Sequence, residues 1–198
     1  MTPNERPPSN AACDPRVERS RAAVLAAAYD LLLDDGPDAV SHGQVAAAAN
    51  VSRTTVYKHF PTRGELLRAT IEVMGKPLPV ELTGELRPDL ERMLADLVAD
   101  LADEQRTRAI ATMIERAQHD PTVAAVRDDL VGEAREQFRT IVEAGVADGE
   151  LRDGCDHDLA MAGLFGTFFF KRLMAGEPVD DDLAARAIDA FLAVHRRC

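Results

Sequence analysis

Apolar residues in this chain recur at the spacing of a helix, segment after segment, with no convincing run at the two-residue spacing of a strand. Within Arg16 to Asp35, Val17, Val24, Ala28 and Leu31 fall on one stripe, with Leu25 and Leu32 beside them. Leu90, Met93, Leu94, Leu97, Val98 and Leu101 make a second stripe. Residue usage agrees. Ala (32) and Leu (20) outnumber Val (16) and Ile (5), and aromatics are 5% with no Trp. Unbranched side chains lose little rotamer freedom in a helix, whereas β-branched and aromatic ones favour sheets. The expected fold is all-α, with about nine helices.

Caps and breakers divide the chain. Gly36-Pro37 stops the first helix. Ser41 and Ser52 are N-cap candidates for two short helices, and Asn50 between them tolerates the left-handed turn that ends the first. Thr62 with Glu65 reads as a capping box for a fourth helix reaching about Met74. Pro77, Pro79 and two glycines mark 75–84 as a linker. Helices are then expected from Pro88 past Leu101, from Glu104 to Gln118, and from Pro121 to about Ala147 with a break near Gly132. Asp156 caps a helix to Ala175, and Asp180 caps the last, to His195. Three regions follow: a disordered tail (1–15), a small helical domain (16–75) and a larger one (76–198).

Several classes fall away. The longest nearly apolar run, Ala160 to Phe170, is 11 residues, and a membrane span needs about 20. Met1 to Asn10 has no apolar stretch of the kind a signal peptide carries. Cysteines at 13, 155 and 198 form no CxxC pair and no even framework, which fits a reducing cytoplasm. Cys155 and His157 stand two apart and could begin a metal site, with His195 as a remote further ligand, but no second ligand pair at zinc spacing follows, so no metal is expected. No phosphate-cradling glycine loop or nucleophile motif is visible, so neither cofactor nor enzymatic activity is expected.

The formal net charge is −11, which by itself argues against a nucleic-acid partner. The distribution says otherwise. Residues 1–76 balance 9 basic against 9 acidic side chains, and the surplus of acid lies beyond them. Ser52 to Arg68 carries Arg53, Lys58, Arg63 and Arg68 against Glu65 alone.

This basic patch falls in Val45 to Phe60, two short helices joined by a tight turn, a helix-turn-helix arrangement. A helix entering the major groove needs a small, polar or basic outer face. Arg53, Thr54, Tyr57 and Lys58 supply it, while Val51, Val56 and Phe60 can turn inward. Ser52 caps the helix and aims its first amides at phosphate.

The run Val51-Ser-Arg-Thr-Thr-Val-Tyr-Lys-His-Phe-Pro-Thr-Arg-Gly-Glu-Leu-Leu67 resembles the signature of the tetracycline-repressor (TetR) family of bacterial transcription regulators. The resemblance is strong over roughly 16–75. Beyond that it concerns layout, together with Glu150-Leu151-Arg152 and Gly176-Glu177-Pro178. It implies phosphate contacts from Tyr57, His59 and Arg63 and base reading by Arg53, Thr54 and Thr55. Ser41, His42 and Gln44 are candidates on the preceding helix. Asn50 stands where the family usually has Gly. Gly43 stands where several members carry a polar side chain, which leaves His42 and Gln44 as the weaker base-contact candidates.

In the larger domain, Leu159, Gly163, Gly166 and Phe170 make one stripe, and Leu183, Ala187, Phe191 and Val194 another. Both are expected to pack on a second copy in a homodimer. Met93, Met113, Phe138, Met161 and Phe165, with His119, could line an apolar pocket. The expected function is a ligand-responsive regulator, a homodimeric repressor released from a double-stranded palindromic operator by a small apolar or amphipathic effector. A ligand-binding module that has lost DNA binding, or an all-helical enzyme, are the other readings.

Overall fold

The computed structural model describes residues 15–74 and 81–197. Of the tail expected over 1–15 only Pro15 lies within them, where it opens the first helix instead, and most of the 75–84 linker lies outside them, as do Cys13 and Cys198. Among the described residues the chain forms nine α-helices. Four belong to the N-terminal head: α1 (Pro15–Asp35), α2 (His42–Ala48), α3 (Arg53–His59) and α4 (Arg63–Met74). Five make the body: α5 (Leu86–Ala102), α6 (Glu104–Arg116), α7 (Pro121–Ala147), α8 (His157–Phe169) and α9 (Asp181–His195).

The caps explain the boundaries. Ser41, Ser52, Thr62, Asp103, Asp120, Asp156 and Asp180 each accept a hydrogen bond from a backbone N–H of the first helical turn. Each satisfies a donor that the helix leaves without a partner. Asn50 adopts φ 53° and turns the chain between α2 and α3. Gly36 lies at φ 81°, and a Cβ there would stand 2.9 Å from Thr112 on α6. Only glycine fits both the conformation and the space.

Two expectations change. Helix α7 runs unbroken through Gly132, because one glycine costs about 1 kcal/mol in a helix and packing on both sides outweighs it. Helix α8 is regular only to Phe169. Phe170–Met174 widens into a single π turn, where Ala175 N–H bonds to the Phe170 carbonyl. There the Arg172 guanidinium donates to the Leu101 carbonyl at 2.8 Å.

Two apolar cores form. The first joins α1 to α4 through Val24, Leu32, Val45, Val56, Leu66 and Leu67. It does not stop at the end of the head, since Ala109 from α6, Ala117 just after it, and Val123 and Val126 from α7 belong to it. The second fills the body with Leu90, Leu94, Phe138, Ile141, Leu164, Phe168, Ile188 and Phe191. The end of the chain closes over it. Arg152 N–H bonds to the His195 carbonyl and Arg197 N–H to the Glu150 carbonyl, and Leu151 beneath them is buried.

Candidate functional site

On α3 the inner side is Val56, fully buried, and the outer side is Arg53, Thr54, Tyr57 and Lys58, all exposed. The outer face is thus polar and basic, as the spacing predicts. Its base is firm. Thr55 N–H donates to Ser52 Oγ at 3.1 Å, and the two hydroxyls bond at 2.8 Å. Thr55 is half-buried and part of this cap, which removes it from the base-reading set. Ser52 itself is exposed at the start of the helix. Gly43 on α2 faces Arg53, and a Cβ there would come within 3.1 Å of the guanidinium. The missing side chain is the space along which Arg53 lies.

Helix α2 is more a support than a reading element. His42 is buried, its Nε2 stands 2.7 Å from the Phe60 carbonyl, and its ring stacks on Tyr57 at 3.9 Å with planes 8° apart. A carbonyl only accepts, so Nε2 carries the proton. His42 therefore leaves the base-contact set and holds Tyr57 in place. Ser41 and Gln44 pair with each other: Ser41 Oγ donates to Gln44 Oε1 at 2.8 Å and accepts from Gln44 N–H. Gln44 is exposed but locked in this capping box. His59 is half-buried, with Nε2 3.2 Å from Ser20 Oγ on α1.

Arg63 also departs from expectation. Its guanidinium donates to Asp120 at 2.6 Å, to the Pro37 carbonyl at 2.9 Å and to the Val40 carbonyl at 3.2 Å. With its donors so engaged, the side chain is a bracket between head and body rather than a phosphate contact. Asp120 is in turn the N-cap of α7. Its carboxyl is held below the usual range chiefly by the Arg63 hydrogen bond, against the opposing effect of burial.

Between α4, α5, α6, α7 and α8 lies a cavity of about 630 Å³. Met93, Met113, Met161 and Phe165 line it, as the sequence suggested, together with Ile71, Leu97, Ile110 and Phe169. Phe138 does not. It is fully buried behind the wall, edge-on to Phe165 and Phe191. His119 sits exposed in the turn after α6. Sequence reasoning missed the charged part of the wall: Glu72, Asp96, Asp100, Glu133, Arg135 and Asp158. A signal existed, since Met93, Asp96, Leu97 and Asp100 share one face of α5 by their spacing.

The face expected to meet a second copy splits. Leu159 is 71% exposed, Phe170 63% and Val194 59%, and Met174, four residues after Phe170, is 77% exposed. Gly163 has open space where a Cβ would go, and so does Gly166, which also borders the cavity. Leu183 and Phe191, in contrast, are buried in the body core, and Ala187 packs against it. These three do not belong to an outer face, because α9 turns that line toward α5 and α7.

Cys155 Sγ lies 3.4 Å from His195 Nδ1. Burial pushes the thiol up and the imidazole down, so both shifts favour the neutral forms, the opposite of what activates a cysteine nucleophile.

Comparison with known proteins bears directly on the head. The profile of the family described as "Bacterial regulatory proteins, tetR family" matches residues 24–70. The profile described as "Tetracyclin repressor-like, C-terminal domain" matches 80–191. The chain is 31% identical to the transcriptional regulator YdeS of Bacillus subtilis over 84% of this chain and 85% of that protein. It is 31% identical to the DNA-binding transcriptional repressor TetR of Mycobacteroides abscessus, over 90% of this chain and 95% of that one. A TetR transcriptional regulator of Agrobacterium tumefaciens superposes with a TM-score of 0.64 at 27% identity, covering 89% of this chain and 94% of that one. NalD of Pseudomonas aeruginosa shares the fold, with a TM-score of 0.70 at 21% identity over 93% and 99% of the two chains.

Proposed function

The chain belongs to the tetR family of bacterial regulatory proteins, and from that premise we propose that it is a repressor that leaves its operator when a small molecule fills the body cavity. The observation that carries this reading is the outer face of α3. Four exposed polar or basic side chains stand on a short helix whose other side is sealed into the first core. Arg53 is the base-reading residue, Lys58 a phosphate contact and Tyr57 a phosphate contact held by His42. Such contacts divide into those that specify and those that position.

The regulator acts as a homodimer in the cytoplasm, with the head over 16–75 and the body over 76–198. Leu159, Phe170, Met174 and Val194, large apolar side chains that the single chain leaves exposed, form the seam. No described helix is long and apolar enough to cross a membrane. The head and the cavity share α4. Ile71 and Glu72 near its end line the cavity, and Arg63 at its start is tied to Asp120. An occupant that prefers one setting of α4 therefore prefers one spacing of the two reading helices.

Footprinting on the DNA flanking its own gene tests the proposal. A near-palindromic protected site is expected, with half-sites about one or more helical turns apart. Absence of any protected site, with the folded protein in excess, overturns it.

A further inference from the structure

We propose that the molecule this cavity takes is an organic cation with a bulky apolar body, its charge set against Asp96. The inference rests on the reading of the cavity as the effector site and adds the chemical class of the effector.

The wall carries five carboxylates, Glu72, Asp96, Asp100, Glu133 and Asp158, and one cation, Arg135. Four of the five have a guanidinium. Glu72 and Glu133 share Arg68, Asp100 pairs with Arg106 at 2.7 Å, and Asp158 with Arg135 at 2.9 Å. Asp96 has no hydrogen bond or ion pair among the described residues. It is half-buried on the cavity side of α5, one turn from Asp100. Burial, with Asp96 and Asp103 nearby, pushes the Asp100 carboxyl up even though Arg106 is bonded to it. Positive charge is therefore short at this end of the cavity. A carboxylate partly removed from water without a counter-ion is costly, and a ligand cation relieves that cost.

The rest of the wall suits the body of such a ligand. Phe165 and Phe169 present aromatic rings, whose faces attract cations. Met93, Met113 and Met161 adapt to irregular apolar shapes. An anion of the same size would meet the uncompensated carboxylate of Asp96, with that of Asp100 one turn away, which is how a site rejects the wrong partner.

Tetraphenylphosphonium and tetraphenylborate have the same shape and opposite charge, and triphenylmethanol is a neutral relative. Each is titrated calorimetrically into the full-length protein at low salt. The phosphonium is expected to bind at least about tenfold more tightly than the other two, since one nearby charge at the edge of a protein is worth roughly this much or more. Asp96→Asn should remove about tenfold of its affinity without lowering the melting temperature. Ala134→Phe, which fills the cavity from α7, should abolish binding. Equal or tighter binding of the borate or the alcohol, if lost in Ala134→Phe, leaves the cavity as the ligand site and overturns the cation. Unchanged phosphonium affinity in Asp96→Asn overturns it too. If no probe binds in a way that Ala134→Phe alters, the cavity reading falls and the proposal with it.

Discussion

Arg53 and Arg63 stand ten residues apart in one basic run, and the fold gives them opposite tasks. Arg53 is exposed over Gly43 and makes no ion pair among the described residues. Arg53→Ala should cost about 1–3 kcal/mol of operator binding and relax sequence preference, because Arg to guanine is a base-specific contact. Lys58→Ala should weaken binding to every sequence and lower the salt slope by about one. Both are read by titration of operator and scrambled DNA at several salt concentrations. Arg63→Ala should instead lower folding stability by about 1.5–3 kcal/mol, the range for hydrogen bonds involving a charged group, and leave the salt slope alone. The same bracket sets a pH dependence. Arg63 depresses the Asp120 carboxyl below its ordinary value of 3.8. The folded state then binds fewer protons than the unfolded state in that range, so this stabilisation is complete above the unfolded value and is lost as pH falls through the folded one. Asn keeps the cap but not the charge. Asp120→Asn should therefore melt lower than the parent at pH 7, with the gap closing in acid. The α3 face was legible because it depends on spacing within seven residues. The fates of Arg63 and His42 were not, because their partners, Asp120 and the Phe60 carbonyl, are 57 and 18 residues away.

The helices were legible where chemistry is local. Ser, Thr and Asp caps mark their starts, and Asn50 marks the turn between α2 and α3. What escaped was decided by packing. The entry to α5 is one case. Asp89 is buried and accepts from Thr83 N–H, Thr83 Oγ1 and Gly84 N–H at 2.7 to 2.9 Å. Burial pushes its carboxyl up, and the donors together outweigh that and hold it low. The carboxylate folds residues 83–84 back over the first turn of α5, which begins at Leu86, two residues before the proline that seemed to open it. Asp89→Ala should lower stability by about 2 kcal/mol by stranding these donors, read as a lower denaturant midpoint. Gly145 on α7 is the other case. A Cβ there would meet Leu151 at 3.1 Å and Leu86 at 3.2 Å. Gly145→Leu forces α7 away from both and should cost about 1–3 kcal/mol, as overpacking does. Nothing near Gly145 in the sequence announces this contact.

At the scale of the whole molecule, the arrangement of apolar surface decides how the protein assembles. Helices α8 and α9 are apolar on more than one side, and periodicity alone cannot say which side faces in. Leu183 and Phe191 look as available as Leu159 and Val194 until the fold turns them toward Phe138 and Ile188. The variants therefore separate. Phe191→Asp places a carboxylate beside Phe138, whose ring lies 5.8 Å away, and it should unfold the body, since a buried unpaired charge is costly. Leu159→Asp and Val194→Asp put the charge on open surface, so the isolated fold should keep its helical content. In a two-fold dimer each substitution occurs twice at one seam, bringing like charges together where apolar side chains met. Sedimentation should show monomers. Operator binding should then fall steeply and its salt slope drop by about half, because each monomer keeps only its own phosphate contacts. A Leu159→Asp protein that stayed dimeric, with the parent's salt slope, would place the seam on another face.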